Sequence, residues 1–189
     1  YKVAKQADVL MLFYLFPLEE VKGLFSRLGY SIDKKMLKKN YEYYESRTSH
    51  GSTLSKVVHC YVSHLLGMKK TTREWFDNVL EADIHDVKGG TTLEGIHTGI
   101  MGGSLDIAIR AFAGVHIRGD RVEVVPDLPS GWKEMDFSLG IRGRKVRFDV
   151  TRGSVKIKVE RARRRGALLF DVKGVEKDIL PGKEKKFKL

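Results

Sequence analysis

Three polar segments of this sequence carry residue types that could bind an anion. They read KQAD at residues 5–8, TSHGSTLS at residues 48–55 and GGTTLEGIH at residues 89–97, and each lies at the start of an apolar helical pattern. The N–H groups that open a helix lack partners inside it, and the helix dipole adds partial positive charge there. Hydroxyl and imidazole groups at such an end suit phosphate oxygens. The pattern predicts a site that holds phosphate, or a water in its place, beside a sugar.

A purely structural interpretation of the third segment is also open. Thr91 and Glu94 match a capping box, which needs no ligand. A cap does not account for His97, nor for four glycines within the helical pattern that follows, each of which costs a helix about 1 kcal/mol relative to alanine. Those glycines are Gly95, Gly99, Gly102 and Gly103. We therefore expect a neighbouring helix or a ligand to approach this backbone closely.

The first part of the chain has helical periodicity throughout. Apolar spacing predicts helices over residues 3–16, 18–28, 33–47, 54–66, 71–82 and about 96–114, with the first covered on most sides. Asp33 is the expected N-cap of the third helix, and Ser52 or Thr53 that of the fourth. If buried and outer helices alternate, the three polar segments lie at one end of a helical barrel, where a pocket would form.

After Gly114 the apolar period changes from helical to two. Seven short strands are predicted at residues 115–118, 121–125, 135–141, 145–150, 155–159, 167–172 and 185–189, separated by glycine-containing turns. Successive short antiparallel strands of this kind are typical of a sandwich. The predicted division is a helical domain at residues 1–114 and a β-sandwich at residues 115–189.

Composition bounds the class of protein. A single cysteine, Cys60, excludes an internal disulfide and suits a reducing cytoplasm, and no apolar run is long enough to span a bilayer. Residues 1–114 carry 15 Lys/Arg and 13 Asp/Glu, whereas residues 115–189 carry 20 and 11, so most of the net charge of +11 lies in the second part. Because these charges alternate with apolar residues along strands, a solvated surface is favoured over a nucleic-acid interface.

The three segments, in this order and before a β-domain that contains PDLPSGW at residues 126–132, resemble glycoside hydrolase family 65 over nearly the whole chain. This family includes maltose, trehalose and kojibiose phosphorylases and related α-glucoside hydrolases. The resemblance implies the later half of an (α/α)6 barrel followed by an antiparallel β-sandwich. It also implies an inverting reaction on an α-glucosyl disaccharide, in which a carboxylic acid protonates the leaving oxygen and phosphate or water attacks from the opposite face.

The resemblance also assigns roles to individual residues. Lys5 and Gln6 match residues that contact the glucosyl unit. The matches to the phosphate-binding region are Ser52, Thr53, Thr92 and His97. Gly51, Ser52 and Thr53 depart from the acidic residue and two serines that occur in phosphorylases of the family, and this favours its hydrolysing branch. Glu94 is then the candidate base for water. No cofactor is implied, and inorganic phosphate is a co-substrate.

The general acid of the family belongs to a Trp- and Glu-rich segment that has no match in this sequence. We therefore expect residues 1–189 alone to be inactive and to require the first half of the barrel, in the same polypeptide or in another chain. Self-association would cover the exposed apolar faces of a half barrel, so a homo-oligomer is also expected. The absence of an initiator methionine at Tyr1 suggests a piece of a longer polypeptide.

A non-catalytic module that binds a carbohydrate or a polyanion is the alternative. Trp132 and the basic run RARRR at residues 161–165 would carry that binding. A metal site is not expected, because His59, Cys60 and His64 share one helix and only Cys60 and His64 have chelating spacing. We treat them as ordinary helix residues.

Overall fold

The computed structural model describes residues 3–85, 95–163 and 165–189, and the chain divides into two compact units, Tyr1–Ile107 and Ala108–Leu189. The first is helical and the second is mainly strand. The division falls a few residues before the predicted boundary at Gly114. The reason is that a π-helical segment, Ala108–Phe112, continues the last helix but packs against the first strand of the second unit.

The described part of the first unit contains six α-helices. They are α1 (Asp8–Leu15), α2 (Leu18–Arg27), α3 (Lys34–Glu45), α4 (Leu54–Leu66), α5 (Lys69–Leu80) and α6 (Thr98–Ile107). Asp33 caps α3 as predicted, since its carboxylate accepts the Met36 N–H at 2.6 Å. Gly67 ends α4 with a φ of 77°, which glycine adopts without steric cost.

Helix α4 is the central element of this unit. It packs against α1, α3, α5 and α6, and most of its residues are buried. By contrast, the prediction that α1 is covered on most sides is wrong, because Val9 and Leu15 are 45% and 60% exposed. The reason is that within the described residues α1 packs mainly against α2, α3 and α4, which leaves part of its surface uncovered.

Three helix starts differ from the prediction. Helix α1 begins at Asp8 rather than at residue 3, because the backbone of residues 4–5 pairs with residues 47–51 instead of coiling. Helix α6 begins at Thr98, so Ile96, the first residue of the predicted helix, precedes it and is 78% exposed. The α5 start also moves, from Thr71 or Thr72 to Lys69.

The second unit contains eight strands in its described residues. They are β1 (Val115–Arg118), β2 (Arg121–Val124), β3 (Glu134–Ile141), β4 (Arg144–Thr151), β5 (Ser154–Val159), β6 (Leu168–Val172), β7 (Val175–Ile179) and β8 (Glu184–Lys188). They form two four-stranded sheets with the orders β1-β2-β6-β7 and β3-β4-β5-β8. Buried residues of both sheets form one hydrophobic cluster, in which Phe148 and Phe170 pack edge to face.

Two features of these sheets were not predicted. Strand β7 was missed because four of its five residues are exposed, so it lacks the alternation that indicates a half-buried strand. Strands β2 and β6 pair in parallel, whereas antiparallel pairing was expected throughout. A tight hairpin forces antiparallel pairing only on consecutive strands, and three strands of the other sheet separate β2 from β6.

No helix in the described residues is both long and apolar enough to cross a membrane.

Candidate functional site

The first two polar segments lie side by side in the structure. The Ala4 N–H donates to the Arg47 carbonyl at 3.0 Å, and the Ala4 carbonyl accepts the Ser49 N–H at 2.8 Å. The next carbonyl, that of Lys5, accepts the Gly51 N–H at 3.1 Å. These backbone bonds place Lys5 against the loop that carries Ser52 and Thr53, although more than forty residues separate the two segments in sequence.

Gly51 lies close to the Lys5 side chain. A Cβ atom at position 51 would lie 3.1 Å from Cγ of Lys5, which is tighter than ordinary side-chain contact. The Lys5 side chain is exposed and that of Gln6 is half-buried. Two residues further on, the Ala7 N–H donates to the Ser55 hydroxyl at 3.3 Å, so a side chain of α4 satisfies a donor at the start of α1.

Ser52 and Thr53 are both half-buried at the start of α4. Their carbonyls accept the N–H groups of Ser55 and Lys56, each at 3.1 Å. Thr53 is the N-cap residue, yet within the described residues its side chain makes no capping hydrogen bond. The predicted N-cap position is therefore confirmed and the side-chain cap is not, so the hydroxyl is not consumed by the helix that it precedes.

Helices α1, α4 and α6 run in the same direction. A Cβ at Gly99 would lie 3.1 Å from Leu54, and one at Gly103 would lie 2.5 Å from Val57. Because the contacts follow the same order along both helices, α4 and α6 are parallel. Tyr14 of α1 packs edge to face on Tyr61 of α4, and its hydroxyl donates to Asp106 of α6 at 2.8 Å. The starts of all three helices therefore lie at one end of the unit, and a neighbouring helix explains two of the glycines.

His97 immediately precedes α6 at this end of the unit. Its ring Nδ1 lies 2.7 Å from Oδ1 of Asp83, and its backbone N–H donates to Oδ2 of Asp83 at 2.8 Å. Partial burial would raise the pKa of the Asp83 carboxyl. The hydrogen bonds from the His97 side chain and backbone, together with the attraction of a charged imidazole, outweigh that effect and hold this pKa below its usual value.

Asp83 was not identified from the sequence. It stands fourteen residues before its partner, a separation that belongs to no recognised motif, so only the folded chain reveals the pair. Thr92 and Glu94 lie outside the described residues, as does Thr91. Their predicted roles in phosphate binding, water activation and capping, like those of Lys5, Gln6, Ser52, Thr53 and His97, stay predictions.

His50 of the second polar segment packs in a cluster of aromatic and imidazole rings. The His50 ring centroid is 4.9 Å from that of His59 and 5.0 Å from that of Trp75, and Trp75 Nε1 donates to the Tyr41 hydroxyl at 2.8 Å. His50 has a φ of 51°, a left-handed conformation that costs a non-glycine residue free energy. Packing of its ring in this cluster therefore helps to fix the loop that carries Ser52.

His59 is fully buried in this cluster, and its Nδ1–H donates to the Ser55 carbonyl at 2.8 Å. Burial lowers the pKa of His59, and the backbone hydrogen bond offsets only part of that effect. Cys60, the next residue, donates its thiol to the Thr72 carbonyl. No group of three His, Cys, Asp or Glu side chains within the described residues is arranged to hold a metal ion.

Comparison with known families decides the relationship of this chain. Residues 1–106 match the model of the glycosyl hydrolase family 65 central catalytic domain, and residues 115–174 match that of the family 65 C-terminal domain. The chain belongs to glycosyl hydrolase family 65. The resemblance inferred from the three polar segments is thereby confirmed.

Curated relatives of this family 65 chain include disaccharide phosphorylases. It is 37% identical over 155 residues to the trehalose 6-phosphate phosphorylase of Lactococcus lactis, covering 82% of this chain and 20% of that protein. It is 30% identical over 176 residues to the kojibiose phosphorylase of Caldanaerobacter subterraneus, covering 93% of this chain and 21% of that protein. The chain thus spans about a fifth of the length of these relatives.

A solved structure gives the same family relationship. A protein from the human microbiome that is described as a kojibiose phosphorylase superposes on this chain with a TM-score of 0.76 at 26% identity. The match covers 100% of this chain and 25% of the other. All of this family 65 chain therefore has the same fold as a quarter of that protein.

Proposed function

We propose that the protein to which this chain belongs is an inverting phosphorylase of α-glucosyl disaccharides. The observation that carries the proposal is the convergence of the helix starts. Helices α1, α4 and α6 begin at one end of the first unit, and five of the residues predicted to bind ligand precede them there: Lys5, Gln6, Ser52, Thr53 and His97. Helix N-termini with hydroxyl, ammonium and imidazole groups suit a dianion beside a sugar. The names of two phosphorylases among its relatives support phosphate as the attacking group over the hydrolysis that Gly51, Ser52 and Thr53 favoured.

In this proposal each predicted residue has a defined task. The hydroxyls of Ser52 and Thr53 and the imidazole of His97 bind phosphate oxygens, with Thr92 completing the set. Lys5 and Gln6 contact the glucosyl unit. These groups hold phosphate in line with the anomeric carbon, and such positioning removes much of the entropic part of the barrier.

The reaction needs one further group that these residues do not supply. A phosphate oxygen forms a bond to the anomeric carbon as the glycosidic C–O bond breaks, and a carboxylic acid gives its proton to the departing oxygen. We assign that acid to the part of the protein outside residues 1–189. In a hydrolase, Glu94 would instead have to deprotonate an attacking water, because water is a far weaker nucleophile than phosphate.

We further propose that the helical unit is the later half of an (α/α)6 barrel and that the second unit is its C-terminal β-sandwich. The remaining barrel helices would come from the same polypeptide or from another chain. The difference in length between this chain and its relatives supports this arrangement. The exposed apolar side chains of α1 are consistent with such a partner, or with self-association.

The test uses the full protein as its gene encodes it. The protein is incubated with trehalose, trehalose 6-phosphate, maltose and kojibiose, with and without inorganic phosphate. We expect a glucose 1-phosphate of inverted anomeric configuration from at least one substrate, and no turnover without phosphate. Release of free glucose at a rate independent of phosphate would contradict phosphorolysis and support hydrolysis with Glu94 as the base.

Variants then test the anion site. His97→Gln and Ser52→Ala should each raise the KM for phosphate by about tenfold, the loss expected for one hydrogen bond to a charged ligand. His85→Gln is the matched control, because His85 is exposed and precedes the third polar segment, residues 89–97. Equal phosphate KM values in His97→Gln, His85→Gln and the unaltered protein would exclude His97 from the site.

A further inference from the structure

Both oxygens of one carboxylate hold His97. Oδ1 of Asp83 contacts the ring Nδ1 at 2.7 Å, and Oδ2 accepts the backbone N–H of the same residue at 2.8 Å. The side chain of Asp83 is 10% exposed and that of His97 is 27% exposed. These two contacts to the Asp83 carboxylate restrict both the imidazole ring of His97 and the backbone from which α6 starts.

These contacts determine which ring nitrogen carries a hydrogen. An ionised carboxylate only accepts hydrogen bonds, so Nδ1 of His97 must be the donor. Nε2 is the nitrogen on the far side of the ring from Asp83, and it donates only when the imidazole is positively charged. An adjacent carboxylate favours that charged form. Without a carboxylate at this position, the neutral ring could place its single hydrogen on either nitrogen.

We propose that Asp83 is a positioning residue that holds His97 as an Nε2–H donor toward phosphate at the start of α6. This inference rests on the proposed function and adds to it the group that determines the hydrogen-bonding role of the histidine. A cationic donor interacts with a phosphate dianion more strongly than with a neutral sugar hydroxyl. Asp83 should therefore influence phosphate binding far more than disaccharide binding.

Asp83→Asn in the full protein tests this selectivity. The amide keeps the size of the side chain and an oxygen acceptor but loses the charge. We expect the KM for phosphate to rise about tenfold, while kcat at saturating phosphate and the KM for the disaccharide change by less than about threefold. Asp83→Ala should show the same pattern with a larger rise, and Asp83→Glu should recover part of the loss.

Asp33→Asn is the matched control. Asp33 also accepts a backbone N–H at a helix start, from Met36, but no imidazole contacts its carboxylate in the described structure. A role for Asp83 in helix stability alone predicts that both variants lower the melting temperature and that both leave the phosphate KM unchanged. That result would overturn the inference, whereas a change in phosphate KM confined to the Asp83 variants supports it.

A spectroscopic measurement separates this inference from the proposed reaction. Long-range ¹H–¹⁵N correlations on histidine-labelled protein at pH 7, assigned with His97→Gln, report which ring nitrogens are protonated. We expect both ring nitrogens to be protonated in the unaltered protein and a mixture of forms in Asp83→Asn. A His97 ring in which either nitrogen is unprotonated would refute the assigned role of Asp83, even if glucose 1-phosphate is formed. Conversely, a doubly protonated ring without glucose 1-phosphate formation would refute only the reaction.

Discussion

At the scale of single residues, the interior of the helical unit holds titratable groups in unusual states. His59 is fully buried, and its Nδ1–H is bonded to a backbone carbonyl. Because burial lowers the pKa of His59 below the unfolded value of 6.5, the native protein keeps this ring neutral at a pH where the unfolded chain protonates it. The unfolded state then binds more protons than the native state, so acidification favours unfolding.

Unfolding measured by urea titration should show this linkage. The free energy of unfolding should fall as the pH decreases below about 6.5, by at most about 1.4 kcal/mol per pH unit from this residue. In His59→Gln the protein should be less stable overall, but the slope between pH 6.5 and pH 5.5 should be smaller. His85→Gln, which alters an exposed ring, should keep the full slope. Identical slopes in the two variants would remove His59 as the cause.

The neighbouring thiol of Cys60 should be chemically silent in the folded protein. Burial, and to a smaller extent the charge of Asp77, raise the pKa of Cys60 to about 12, and its side chain is fully buried. Since the thiolate is the reactive form, a chromogenic disulfide reagent at pH 8 should modify Cys60 only as fast as the protein unfolds. Rapid, stoichiometric modification in the absence of denaturant would contradict this placement.

At the scale of elements, two neighbouring glycines of α6 differ in the space around them. A Cβ at Gly103 would lie 2.5 Å from one methyl group of Val57 and 2.9 Å from the other, so α4 leaves no room for a side chain. A Cβ at Gly102 would meet nothing within 4 Å among the described residues. The contact between α4 and α6, the helix that His97 precedes, therefore depends on position 103.

Alanine substitutions at these two positions should separate packing from helix propensity. Gly103→Ala should lower the free energy of unfolding by about 1–3 kcal/mol, the usual cost of overpacking. Gly102→Ala should leave it unchanged or raise it by about 0.5–1 kcal/mol, because alanine is the better helix former. Chemical denaturation of the two variants provides the comparison. A Gly103→Ala variant as stable as Gly102→Ala would mean that the helices do not approach so closely.

At the scale of the whole molecule, the charge distribution bears on the alternative of a polyanion-binding module. Eleven of the 20 Lys and Arg residues in 115–189 lie on strands, and some of them are paired with carboxylates. Arg118 and Arg121 both bond to Glu123, and Arg121 also reaches Glu176. Partial burial would raise the pKa of the Glu123 carboxyl, but the two guanidinium groups outweigh it and lower this pKa.

Binding to nucleic acid should accordingly be weak and non-specific. Titration of a fluorescent DNA duplex should give a Kd no tighter than about 10⁻⁶ M near physiological salt, and raising the salt from 50 to 200 mM should abolish most of the binding. Scrambling the sequence of the duplex provides the control. Tight binding that depends on sequence or resists salt would favour the module over the enzyme.

Much of the fold follows from local patterns. The predicted α4 ends coincide with those in the structure, Asp33 caps α3, and every predicted strand has a counterpart. These features follow from short-range rules of periodicity, capping and turn chemistry. The order of the three polar segments was specific enough to identify the family correctly. Two of the failures occurred where a distant partner competes with local preference, in the pairing of residues 4–5 with residues 47–51 and in the parallel β2–β6 pair.

What the sequence by itself determined is therefore the family, the class of each main element and the residue types available for chemistry. Tertiary structure alone decided which of those residues meet. Asp83 reaches His97, and Lys5 lies against Gly51, through contacts between segments far apart in the chain. Such contacts depend on how helices pack and on where a small residue lets two backbones approach. No periodicity within a single segment encodes that information.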